Sequence, residues 1–184
     1  MMPDTSTTIV HIRPCKAGDM AAIAAIYRHH VLNETASFET EPPTLEEMEK
    51  RRSSLVEQGY PYLVAERNGT VIGYAYASAY RPRAAYRDTV ENSVYLHPDE
   101  TGRGIGSRLM AALIAACEAC DFRQMIAVVG DSANMPSIRL HQRHGFILIG
   151  NLRSVGYKHG RWLDTILLQL ELGSGDTTPP SDHV

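Results

Sequence analysis

Cysteine is scarce in this chain: Cys15, Cys117 and Cys120 are the only three in 184 residues. So small and odd a set excludes the disulfide framework of a small secreted domain. With no secretion signal in view, a reducing cytoplasm is expected. Cys117 and Cys120 form a C-x-x-C, but no second ligand pair accompanies them for a metal. They also fall near the end of a helix, where a redox motif would open one, so both read as structural and no metal site is expected.

Long apolar runs are missing too. LMAALIAACEAC is too short to span a bilayer and is interrupted by Glu118, so no membrane partner is expected. Positive charge is not in excess, with a net charge of −3, and nothing advertises a nucleic-acid backbone as partner. Local basic clusters remain able to hold a small anion. Linkers and internal repeats are absent, which leaves one domain large enough to bury a proper core. Its expected extent is residues 9–172. Residues 1–8 and 173–184 read as flexible termini, because MMPDTSTT is polar and GSGDTTPPSDHV lacks large apolar residues apart from its final valine.

What is present is a sequence of alternating signals. TIVHIRPC reads as a strand, and Asp19 precedes a helix whose Met20, Ile23, Ile26, Tyr27 and Val31 recur at helical spacing. Thr44 and Glu47 make a capping box for a second helix ending near Gln58. PYLVAER and TVIGYAYASAY form a hairpin through Asn68-Gly69, and TVENSVYLHP is a further strand. A helix follows from about Gly104 to Ala119, with Leu109, Met110, Leu113, Ile114 and Cys117 on one face. Next come the strand QMIAVVG and a helix from about Pro136 to His144, with Asn134 near its start and Gly145 as its cap. FILIGN and WLDTILLQLEL are the last two strands. This order predicts a mixed α/β domain rather than a repeating βα pattern.

The junction VYLHPDETGRGIGSRL carries the chemistry. A helix start leaves unpaired N–H groups at the positive end of its dipole, and glycines let a phosphate approach them closely. Gly102-Arg103-Gly104-Ile105-Gly106 therefore suits a pyrophosphate, with added charge from Arg103 and from Arg108. No lysine follows, which excludes a Walker A loop, and G-x-G-x-G in mid-chain is not the Rossmann fingerprint. A plain turn that merely starts a helix is the competing reading.

V-Y-L-H-P-D-x-x-G-R-G-I-G-S-x-L-M, followed one strand later by N-M-P-S-I-R-L-H-Q-R-H-G-F, resembles the GNAT superfamily of N-acetyltransferases. ASFETEPPT, AAYRDTVENSVYLHP and GYKHGRWLD narrow the resemblance to its phosphinothricin, methionine sulfone and L-amino acid acetyltransferase branch. The likeness runs from Ile12 to Leu172. It implies a twisted, mostly antiparallel sheet splayed between strands four and five and flanked by helices. It also implies acetyl-CoA as co-substrate, a small amino acid as acceptor and a homodimer. One position departs from the family pattern: Thr101 stands where Gln or Arg is usual, which removes a polar contact without touching the amide cradle.

The resemblance assigns the cofactor to Val94, Tyr95 and Leu96 through backbone groups, to the loop from Thr101, Gly102, Arg103, Gly104, Ile105 and Gly106 to Ser107, and to Asn134. Leu96 N–H is a candidate oxyanion donor. For catalysis, Glu91 is the best general base, a carboxylate inside a strand-like run just ahead of the loop; a cross-strand ion pair is its alternative role. His141 either protonates the leaving thiolate, orients a neighbour or simply packs. His144 reads as a helix-end residue. By resemblance, Phe38, Arg83 and Tyr86 shape the acceptor pocket, with Ala84 and Ala85 completing the loop. Arg83 there would bind a carboxylate bidentately, or else be solvated. Trp162 is expected between the last two strands, near a dimer contact. A non-catalytic acyl-CoA sensor is the reading from another class. Peptide N-termini and polyamines are other possible acceptors, the latter disfavoured by the lack of an acidic groove.

Overall fold

The computed structural model describes residues 9–180; the expectations for residues 1–8 and 181–184 lie outside them. Seven strands form one sheet: β1 (His11–Pro14), β2 (Tyr62–Arg67), β3 (Thr70–Ala79), β4 (Thr89–Leu96), β5 (Gln124–Gly130), β6 (Ile147–Lys158) and β7 (Arg161–Glu171). Their order across the sheet is β1-β2-β3-β4-β5-β7-β6. All neighbours are antiparallel except β4 and β5, which run parallel and pair only at Thr89, Val90 and Glu91. Beyond Glu91 the two strands part. The fold is the mixed α/β arrangement expected, splayed where the resemblance places the splay.

Four helices cover the sheet: α1 (Met20–Asn33), α2 (Leu45–Glu57), α3 (Ile105–Ala119) and α4 (Met135–Arg143). Alternation along the strands decides which helix meets which residue. Small residues of β2 and β3, Ala65, Ala75 and Ala77, lie under Leu109, Met110, Leu113 and Cys117 of α3. Burial pushes the Cys117 thiol up to about 12, in keeping with a structural role; Cys120 is exposed. The opposite face meets α1 and α2, and there tyrosine fills the core. Tyr62, Tyr74, Tyr76 and Tyr95 stack in a row, with ring centroids 5.0 Å apart for Tyr62–Tyr76 and 5.3 Å for Tyr74–Tyr95.

Local chemistry sets the ends of these elements. Asn68 and Gly69 both take positive φ, as a tight hairpin turn requires. Thr44 Oγ1 accepts from Glu47 N–H at 3.2 Å, while the Glu47 carboxylate turns to Arg51. The Asp19 side chain does not cap α1; its Oδ2 accepts from Lys16 N–H at 2.7 Å and closes the turn before the helix. It binds Arg13 bidentately at 2.7 and 2.8 Å, and that guanidinium holds its carboxyl below the usual range. The tail has an anchor in buried Arg123, which donates to Ser174 Oγ, Thr178 Oγ1 and the carbonyls of Gly175 and Pro179.

β6 departs from the sequence reading. FILIGN marks only its start, and the strand continues to Lys158 with breaks in register at Gly150 and Gly156. Trp162 lies inside β7 rather than between the strands, 65% exposed and edge-on to Tyr157.

Candidate active site

The parting of β4 from β5 creates the site. In an antiparallel pair, alternate residues turn their N–H and C=O toward the partner. Thr89 O accepts from Tyr80 N–H just past the end of β3, and His97 N–H donates to Ile72 O within it, so odd-numbered residues of β4 face β3. Val94 and Leu96 therefore face the side that β5 has left. Val94 N–H, Val94 C=O and Leu96 N–H line an open edge, whereas Leu96 C=O accepts from His30 Nε2 at 2.8 Å. The cleft so opened measures about 860 Å³.

One end of the cleft is the start of α3. Gly102 and Gly104 have φ of +73° and +77°, the left-handed region glycine tolerates, and Gly104 caps the helix without a side chain. The N–H groups of Ile105, Gly106 and Ser107 are left without intrahelical partners. Thr101, Gly102, Gly104, Gly106 and Ser107 line the cleft together with Val94, Tyr95, Leu96 and Asn134. Two loop side chains do not: Ile105 is buried in the core, and Arg103 turns to Glu100 at 3.5 Å. Arg108 does not supply charge here either, since it donates to Val10 O at 2.6 Å.

Arg139 and Arg143 of α4 also line the cleft, a role that reading the sequence missed. Their spacing of four, which puts both on one helix face, was the available signal. Asn134 Oδ1 accepts from Ser137 N–H at 3.3 Å and caps α4.

Glu91 stands at the last position where β4 pairs with β5, opposite Ser78 of β3. Among the described residues no cation and no hydrogen-bond donor holds its carboxylate, so the alternative of an ion pair falls away. Burial alone pushes the carboxyl up. Tyr76, Ser93, Tyr95, Phe38 and Glu39 share its cavity.

On the other side of β4, His141 spends both ring nitrogens within the protein. Nδ1 lies 2.8 Å from Ser137 O and must donate; Nε2 lies 2.9 Å from Asn92 Nδ2 and accepts. Burial lowers the ring's proton affinity, so the neutral tautomer is the one this geometry holds. In that state neither ring nitrogen offers a free proton to a leaving group, and Nε2 holds the Asn92 amide instead. Asn92 is buried and its Oδ1 has no partner. His141→Ala and Asn92→Ala are expected each to lower kcat by about tenfold. The double variant should lose little more, which a double-mutant cycle measures. Additive losses would show that the pair does not act as a unit.

Phe38 reaches the cleft through a slot between two glycines. A Cβ on Gly156 would fall 2.3 Å from its Cε2, and one on Gly130 2.7 Å from its Cε1. Arg83, Ala84, Ala85 and Tyr86 are not part of this wall. They form the β3–β4 connection, where Ala84–Tyr86 make a single 3-10 turn and Tyr86 packs edge-on against Tyr80.

The residues present suit acetyl-CoA. Unpaired amides and two arginines await a diphosphate, an open strand edge awaits the amides of a pantetheine arm, and Asn92 Oδ1 is a buried acceptor lacking a donor. Glu91 lines the same cleft as that edge, an arrangement that suits an acyl-transfer enzyme.

Comparison with known proteins agrees. The family model for an acetyltransferase (GNAT) domain matches residues 12–167. The phosphinothricin N-acetyltransferase of Alcaligenes faecalis is 53% identical over 169 residues, 92% of this chain and 86% of that protein. The L-methionine sulfoximine/L-methionine sulfone acetyltransferase of Pseudomonas aeruginosa is 40% identical over 169 residues, 91% of this chain and 98% of that one. A GNAT superfamily phosphinothricin acetyltransferase from Sinorhizobium meliloti, solved in complex with AcCoA, superimposes with a TM-score of 0.92 at 48% identity, covering 95% of each chain. The chain belongs to the GNAT acetyltransferase family and is an acetyl-CoA-dependent N-acetyltransferase.

Proposed function

We propose that the enzyme acetylates the α-amino group of a small amino acid, with phosphinothricin, methionine sulfoximine and methionine sulfone as leading acceptors. The observation that carries this reading is Glu91: a carboxyl raised by burial, free of partners, on the wall of the cleft. Acetyl-CoA supplies the activated acetyl thioester. Glu91 accepts the proton of the incoming amine, directly or through a water. Leu96 N–H, on the open edge, stabilises the negative charge that grows on the carbonyl oxygen. The amides of residues 105–107, with Arg139 and Arg143, hold the phosphates, and Asn92 and Asn134 meet the arm between them. Phe38 bounds the acceptor side. Arg83 to Tyr86 lie off the cleft wall, so Arg83→Ala is expected to leave the acceptor KM unchanged, and a raised KM would bring this connection into the acceptor pocket.

The likeness to the phosphinothricin and methionine sulfoximine enzymes supports the acceptor class. Mass spectrometry of the products from an acceptor panel tests it: N-acetylated amino-acid analogues are expected. Product from only a peptide or spermidine would replace the acceptor and leave the acetyl donor standing.

We infer a homodimer through the late strands. Ile147, Leu148, Ile149, Val155, Tyr157 and Trp162 leave large apolar side chains exposed on β6 and the start of β7, which a second copy would cover. A doubled mass on sedimentation is the expected result. A cytoplasmic location accords with the free cysteines.

A further inference from the structure

His30 is 7% exposed in the last turn of α1, and both its ring nitrogens face acceptors. Nδ1 lies 2.7 Å from Glu34 Oε2, and Nε2 lies 2.8 Å from the Leu96 carbonyl oxygen. A neutral imidazole has one N–H and one lone pair, and a lone pair set against a carboxylate or a carbonyl at this distance repels it. The two acceptors therefore select the ring that carries both protons.

The placement matters because of what β4 has lost. Past Glu91 the strand has no β5 partner, so on its open edge the Leu96 peptide is held by His30. In extended backbone a residue's N–H and C=O point the same way, so fixing Leu96 C=O also aims Leu96 N–H. We propose that His30 is a positioning residue for acetyl transfer: as an imidazolium tied to Glu34, it clamps Leu96 and so sets the strand edge that receives acetyl-CoA. This rests on the seating of acetyl-CoA along β4 described above.

The surroundings of the ring are mixed. From α1, His29 stacks edge-on at 5.7 Å and reaches Glu34 Oε1 at 3.7 Å. From β6, Lys158 Nζ donates to Glu34 O at 2.8 Å, and its charge opposes that of His30. His159 Nε2 lies 3.3 Å from the same carbonyl. From β4, Tyr95 leans on the ring at 5.2 Å and Tyr27 packs behind it. Burial works against the charge, but the bonds from Glu34 and Leu96 outweigh it and leave His30 above its ordinary value. Its charge thus persists to higher pH than that of an ordinary histidine and is lost as pH rises through that raised value.

The test combines nitrogen NMR of the free enzyme with acetyl-CoA titrations and steady-state kinetics across pH. In the wild type, both His30 nitrogens are expected to be protonated at neutral pH, and KM for acetyl-CoA should climb on the alkaline side. His30→Gln should raise KM by about tenfold with little change in kcat, and should flatten that climb. Glu34→Gln, at a side chain 44% exposed, should move the climb to lower pH; a purely structural histidine would leave it in place. A neutral ring at neutral pH overturns the proposal, as does a His30→Gln enzyme with the wild-type KM and pH profile. Failure of the wild type to bind acetyl-CoA overturns the cofactor seating and this clamp together, whereas binding with unchanged variant profiles overturns the clamp alone.

Discussion

Glu91→Gln is expected to lower kcat by roughly 10²–10⁴-fold while acetyl-CoA still binds with unchanged affinity. The replacement keeps the shape of the side chain and removes only its capacity to take a proton. An α-amino group is largely protonated at neutral pH, so the amine attacks only after losing that proton. In the proposed reaction Glu91 receives it, having no competing cation among the described residues and sitting where β4 leaves β5. Its raised proton affinity has a visible consequence: the basic form builds as pH rises through that value, so the acid limb of kcat should lie above the usual carboxylate range. In Glu91→Gln this limb should vanish. Steady-state kinetics across pH, with calorimetry for acetyl-CoA, separate the two effects. An unaltered acid limb in the variant would remove Glu91 from the proton's path.

Gly104→Val is expected to strike the other end of the cleft. Gly104 has φ of +77° at the cap of α3, and a Cβ there meets no neighbouring atom. The cost is therefore backbone strain, about 1–3 kcal/mol, rather than collision. The chain relieves it by shifting the turn, and the amides of residues 105–107 shift with it. KM for acetyl-CoA should rise by about tenfold or more, with kcat at saturation nearly kept, because the acceptor side of the cleft is untouched. The melting temperature should fall with it. Kinetics beside thermal melts check both. A variant that loses stability but keeps the wild-type KM would show that these amides do not hold the phosphates.

Much of this layout was legible in the residues. Helical spacing in α1 and α3, the Asn68-Gly69 turn and the Asn134 cap all express strong local preferences, and the structure carries each of them. The glycine-rich junction was legible because phosphate chemistry demands glycine there. β6 was legible only in part. Gly150, Ser154 and Gly156 lower its strand signal, and only pairing with β7 carries the strand across them. His30 and Asn92 were invisible for a different reason: their partners, Leu96 and His141, lie 66 and 49 residues away. No local pattern records such contacts. Arg103 and Arg108 illustrate the reverse: the loop's sequence suggested charge for the cleft, and the folded chain gives both guanidiniums protein partners instead.

The proposed reaction moves an acetyl group from acetyl-CoA onto a free α-amine in this cleft. The most direct measurement follows thiol release from acetyl-CoA with L-methionine sulfoximine as acceptor, beside the same compound with its α-amine blocked. Turnover with the free amine and none with the blocked one is the predicted result. No thiol release with the free amine, while acetyl-CoA binds tightly, would contradict it and leave a cleft that holds the carrier without using it on an amino acid.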